Sequence, residues 1–69
     1  MNVHTDLKHH IRQYRKDLNL TQTELANLIG VSKNTISAIE NYEFSCSAYL
    51  AACLCKVFNC NFHDLFYFE

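Results

Sequence analysis

The 69-residue chain has no proline and a single glycine, Gly30. Sheet proteins of this size need several glycine-bearing turns, so hairpin architectures are excluded and an all-α fold is expected. Long apolar runs are missing as well. The longest stretch without a charged residue, Phe44 to Cys55, is twelve residues, short of the about 20 that span a bilayer. The opening Met1-Asn2-Val3-His4-Thr5-Asp6 lacks the basic-then-apolar layout of an export signal, so a cytoplasmic protein without a membrane partner is expected. A surplus of either charge is also lacking. The net charge is −1, which gives no whole-molecule attraction to nucleic acid or membrane.

The composition, 49% hydrophobic and 19% charged, suits an ordered domain. A chain this short buries only about 60% of the surface that its unfolded form exposes. One domain, 1–69, is therefore expected, with no room for a separate catalytic unit or small-molecule substrate cleft. Charge is unevenly placed. Residues 1–42 hold Lys8, Arg12, Arg15, Lys16 and Lys33 against Asp6, Asp17, Glu24 and Glu40, whereas 43–69 hold only Lys56 against Glu43, Asp64 and Glu69. A nucleic-acid face belongs in the first two thirds.

Cys46, Cys53, Cys55 and Cys60 are separated by six, one and four residues. Zinc modules favour paired cysteines two to four residues apart, and Cys53 and Cys55 on a helix lie about 200° apart. Reduced, part-buried thiols are the plain reading. A redox or metal sensor is the alternative, with Cys53 its exposed candidate. His4, His9, His10 and His63 match no ligand spacing with these cysteines and are expected to be solvated. No metal or other cofactor is expected.

Hydrophobic spacing predicts five helices. Thr5 or Asp6 caps the first, with Leu7, Ile11, Tyr14 and Leu18 inward, and Asn19-Leu20 ends it. Thr21 and Glu24 form a capping box for the second, which buries Leu25, Ala26 and Ile29 and stops at Gly30 in the left-handed conformation. Ser32 caps the third, Lys33 to about Asn41, which buries Ile36 and Ile39. Ser45 or Ser47 opens the fourth, running to Phe58 with Ala48, Ala51, Leu54, Cys55 and Phe58 inward. The last, Phe62 to Phe66, presents Phe62 and Leu65. The second and third, over about 22–41, have the tight glycine turn and serine-capped partner of a helix-turn-helix. Val31 points inward from that turn. Lys33, Asn34, Ser37 and Ala38 face out, and the N-terminal end of such a helix reaches base edges in a major groove.

The run Ile11-x3-Arg15-x4-Leu20-Thr21-Gln22-x-Glu24-Leu25-Ala26-x2-Ile29-Gly30-Val31-Ser32-x2-Thr35-Ile36-Ser37-x-Ile39-Glu40-Asn41 resembles the phage-repressor and Cro-type (XRE-type) helix-turn-helix family, and the likeness continues through Leu54-Cys55-x2-Phe58 and Phe62-His63-Asp64-Leu65-Phe66. It implies a compact five-helix lambda-repressor-like domain that binds double-stranded DNA, usually as a two-fold dimer and for transcriptional control. By position, Gln22 matches a phosphate contact beside the second helix. Lys33, Asn34 and Ala38 match base-facing positions, with Ser37 near bases or backbone, and Asn41 matches a phosphate contact. Ser32, Thr35 and Tyr42 complete the DNA-facing set, and Arg12, Lys8 and Lys16 are further candidates for phosphate. Arg15 and Glu40 match an internal ion pair. Chemically, Asn34 suits adenine, Lys33 guanine, and the Ala38 methyl group a thymine methyl.

Two positions depart from the family. Tyr42 replaces a frequent glycine, so Asn41 is expected to take the left-handed cap, and Cys46 replaces a frequent proline. The aromatic tail Phe66-Tyr67-Phe68 either closes the core or, with Tyr49, Leu50 and Cys53, forms a homodimer seam, the reading favoured here. The expected function is a sequence-specific DNA-binding regulator, a repressor acting on a palindromic operator, with no catalytic constellation. Two alternatives stay open: a protein-interaction module of the antitoxin type, and a thiol- or metal-responsive sensor.

Overall fold

The computed structural model describes residues 6–69. The chain runs β1 (Leu7–His9), α1 (Ile11–Asp17), α2 (Gln22–Ile29), α3 (Lys33–Glu40), α4 (Ala48–Phe58), α5 (Phe62–Leu65) and β2 (Phe66–Phe68). Five helices form as the hydrophobic spacing predicts, but a two-stranded antiparallel sheet adds to them. Leu7 pairs with Phe68, Lys8 with Tyr67 and His9 with Phe66. A strand pair joining residues near the two ends of the chain needs no hairpin, so the scarcity of glycine never bore on it. The all-α expectation is corrected to that extent.

The sheet also revises the first helix. Leu7 lies in β1, and α1 starts at Ile11 after His10, which donates its N–H to the carbonyl of Leu65 at 2.9 Å. Asp6 therefore precedes a strand and caps no helix, and Thr5 lies outside the described residues. Leu18 follows α1 as an exposed residue. Asn19 then turns left-handed at φ 58°, a conformation that asparagine tolerates.

The other local signals act through identifiable bonds. Thr21 Oγ1 accepts from the Glu24 N–H at 3.0 Å, and Glu24 Oε1 accepts from the Thr21 N–H at 2.8 Å. The Thr21 N–H, and after it the Thr21 hydroxyl, hold the Glu24 carboxyl below its ordinary pKa. Gly30 ends α2 at φ 75°, and Ser47 caps α4 through the Leu50 N–H at 3.1 Å. The left-handed residue after α3 is Tyr42, at φ 61°, while Asn41 stays at φ −90°. A left-handed conformation costs a side chain of this kind about 1–2 kcal/mol. Ring contacts offset it, because Tyr42 stacks on His9 with centroids 4.4 Å apart and lies under Lys8 Nζ at 4.8 Å.

The core is Ile11, Leu25, Ala26, Ile36, Ile39, Ala51, Leu54, Phe58, Leu65 and Phe66. Val31, Ile29 and Cys55 pack partly against it. Ala48, at the first position of α4, is exposed, and Phe62 lies outside the core, stacked on Phe66 at 4.7 Å. Phe66 is buried by this packing, which removes it from any seam between chains. Tyr49 and Phe68 remain exposed, Tyr67 less so, and Leu50 and Cys53 are half-buried. No helix among the described residues is long and apolar enough to cross a membrane.

Candidate nucleic-acid interface

Two buried isoleucines fix how α3 presents itself. Ile36 and Ile39 are three positions apart, which puts them on one stripe of the helix, and both are about 1% exposed. The same geometry turns Lys33 and Asn34 outward, and both are exposed. Ser37 and Ala38 lie along the flank, half-buried. The helix begins at Lys33 because Ser32 Oγ accepts the Thr35 N–H at 3.2 Å. The Ser32 and Thr35 hydroxyls are also within 3.0 Å of each other. Both side chains are thus engaged in the cap, and Lys33 and Asn34 are the free groups of the first turn.

The other end of α3 is anchored by a polar network around Glu40, which is itself buried. Arg15 donates Nε to Oε2 at 2.7 Å and Nη2 to Oε1 at 3.1 Å, and its Nη1 reaches the Leu20 carbonyl at 2.9 Å. Arg12 Nε adds a bond to Oε1 at 3.3 Å and Gln22 Nε2 another at 3.2 Å. Burial alone would raise the Glu40 pKa, but hydrogen bonds from Arg15, Gln22 and Arg12 outweigh it and hold the carboxyl below its ordinary value. One carboxylate therefore ties α1, the start of α2 and the end of α3 into a fixed frame.

Gln22 and Asn41 sit on the rim of this frame. One hydrogen of the Gln22 amide nitrogen goes to Glu40, which leaves the second for an outside acceptor. Asn41 Oδ1 accepts from Arg12 Nη2 at 3.0 Å, so Arg12 and Asn41 form one exposed polar group at the end of α3. Arg12 lies one turn before Arg15, a spacing that puts both on the face toward Glu40. That spacing is the signal in the sequence that points to the wider network.

Tyr42 and His9 border a shallow groove with Arg12, Lys16 and Glu40. The Tyr42 hydroxyl lies 3.2 Å from the His9 amide nitrogen and 3.3 Å from its carbonyl oxygen, so the tyrosine closes onto β1. His9 is half-buried, not solvated as expected. Its Nε2 lies 3.0 Å from the Ile39 carbonyl. Burial lowers its pKa, opposed in part by that carbonyl and by Glu40. Among the described residues, no group of three His, Cys, Asp or Glu side chains converges on a metal site.

The sequence profile of a family described as "Helix-turn-helix" matches residues 11–65. An uncharacterized HTH-type transcriptional regulator of Methanocaldococcus jannaschii, MJ0272, is 40% identical over 63 residues, covering 91% of this chain and 96% of that protein. Antitoxin PezA of Streptococcus pneumoniae is 38% identical over 55 residues, but these are 80% of this chain and only 35% of the antitoxin. Among solved structures, the P22 c2 repressor in complex with a synthetic operator superposes with a TM-score of 0.71 at 33% identity, covering 75% of this chain and 79% of that one. The chain is a member of the XRE-type helix-turn-helix family of DNA-binding transcriptional regulators.

Proposed function

We propose that the protein represses transcription by occupying a palindromic operator as a homodimer, with the first turn of α3 in the major groove. The observation that carries this reading is the exposure of Lys33 and Asn34 at the serine-capped end of a helix anchored from behind by Ile36 and Ile39. Asn34 reads adenine and Lys33 guanine, while Ser37 and the Ala38 methyl group line the flank. The free amide hydrogen of Gln22, the Arg12–Asn41 pair and Lys16 meet phosphates on either side, and helix N-termini favour such anions. Repression then needs only that the bound dimer excludes other proteins from the site.

Dimerisation has a physical motive. A single module buries only about 600–1,000 Å² on DNA, and Lys33 is the one cation on α3. Two copies related by a two-fold axis place their recognition helices about 34 Å apart and combine their affinities. Exposed Tyr49, beside half-buried Leu50 and Cys53 on α4, and exposed Tyr67 and Phe68 on β2 are the apolar surfaces offered to the partner copy.

Selection of bound sequences from random duplexes tests this reading, and a two-fold symmetric consensus is expected. Asn34→Ala should then cost about 1–3 kcal/mol on that consensus and relax the preference at one position of each half-site. Gln22→Ala should weaken all sequences alike with almost no change in salt slope, since glutamine releases no counterion. No retarded duplex at low salt would overturn the proposal in favour of a protein partner.

A further inference from the structure

We infer that Cys55 and Cys60 form a reversible dithiol–disulfide pair that staples the end of α4 to the start of α5. The inference rests on how α4 ends. Asn59 adopts φ 53° and ψ 49°. The Cys60 N–H then donates to the Cys55 carbonyl at 3.0 Å, and the Asn59 N–H donates to the Lys56 carbonyl at 3.3 Å. These two bonds around one left-handed residue make a Schellman cap, a turn that brings its first and last side chains into contact. In most proteins that contact is between two apolar groups. Here both positions are cysteine.

The same bond and two further observations support the pairing. A disulfide needs α-carbons about 4.4–6.8 Å apart, and the direct Cys60–Cys55 backbone bond keeps the two residues adjacent. Burial first, then the neighbouring Cys55 thiol and Asp64, push the Cys60 thiol above its ordinary pKa; Cys55 acts on the Cys46 thiol as well, so the backbone bond is what singles out Cys60. Both are half-buried and line an open groove with Lys56, Asn59, Asn61 and Asp64, through which a small oxidant can enter. Cys53, on a different face of α4, borders a separate groove with Leu28 and Tyr49.

The chemistry is exchange with a low-molecular-weight disulfide. The thiolate of one cysteine attacks that disulfide, forms a mixed disulfide and expels one thiolate. The second cysteine gives its proton to solvent and displaces the remaining half, which closes the Cys55–Cys60 bond. Two cysteine thiols are oxidised and one small disulfide is reduced to two thiols. A dithiol reductant reverses both steps. The staple holds α5, and with it β2, against α4, and it leaves the exposed turn of α3 untouched.

The test exposes the reduced full chain to glutathione disulfide at pH 8, where the raised Cys60 thiol ionises more readily, and then alkylates, digests with trypsin and weighs the fragments. Trypsin cuts after Lys56, and Cys60 is the sole cysteine beyond it. The expected product is a monomer that has lost two hydrogens before alkylation and takes up two alkyl groups, on Cys46 and Cys53; fragments 34–56 and 57–69 travel as one and fragmentation assigns the link to Cys55. The Cys46→Ser/Cys53→Ser chain, which keeps only this pair, should close equally well. Its thermal midpoint should rise by about 5–10 °C on closure and fall back on reduction. Recovery of 57–69 with Cys60 alkylated or stably carrying glutathione overturns the inference. So does a link from Cys60 to Cys46 or Cys53, or a covalent dimer.

Discussion

Glu40→Ala is expected to lower the free energy of unfolding by about 3–5 kcal/mol. A domain of this kind holds roughly 5–15 kcal/mol in total, so a large part of its stability rests on one side chain. The loss comes mainly from what is left behind. Arg15, itself buried, would keep a charged guanidinium with only the Leu20 carbonyl to receive it, and Arg12 and Gln22 would each lose a partner. Glu40→Gln keeps the shape and some acceptors, so it should fall between alanine and the natural chain. Acid offers an independent check. The folded Glu40 carboxyl titrates below its ordinary value of about 4.5, so its contribution is complete above that pH and is lost as pH falls through the lower folded value. Urea midpoints from pH 7 to pH 3 should drop more steeply for the natural chain than for Glu40→Gln. A Glu40→Ala loss within 1 kcal/mol would show the network to be dispensable.

Ile39→Ala is expected to cost about 2–5 kcal/mol, by the usual scale for large-to-small core changes. Ile39 is about 1% exposed and holds α3 to the core, while its carbonyl meets His9. The better helix propensity of alanine returns only a few tenths of a kcal/mol. The functional reading sharpens this prediction. If Lys33 and Asn34 read the bases, Ile39→Ala should reduce DNA binding only through the smaller folded fraction, with urea curves accounting for the whole change. Asn34→Ala should do the reverse, altering sequence preference while stability stays within about 0.5 kcal/mol. A variant set in which both properties always fell together would assign Asn34 to the scaffold.

Much of the fold could be read from local chemistry. The Thr21–Glu24 box, Gly30 and Ser32 each satisfy backbone groups within four residues of themselves, and periodicity located Leu25, Ile36, Ile39 and Leu54. Features that depend on residues far apart in the chain could not be read that way. Leu7 is four residues from Ile11, so it fits a helical stripe as well as a strand, and only Phe68 across the molecule decides between them. The same pairing buries Phe66 and contradicts its place in a seam. Asparagine tolerates the left-handed region better than tyrosine, yet Tyr42 adopts it because His9 and Lys8 receive its ring. At the site, the exposed turn of α3 followed from the cap and the two isoleucines. The reach of Arg12 and Gln22 to one carboxylate needed three elements to be assembled.

The pairing of β1 with β2 also bears on the order in which the molecule assembles. Every helical cap can form within a short span, whereas Leu7 and Phe68 must find each other across all five helices. Ring closures of that length are entropically slow to reach and are rewarded only once the intervening helices have docked. The ribbon should therefore zip last and unzip first. Its amide protons should exchange with deuterated solvent well before those of α2 and α3, and this fraying edge would mark the weakest point of the molecule.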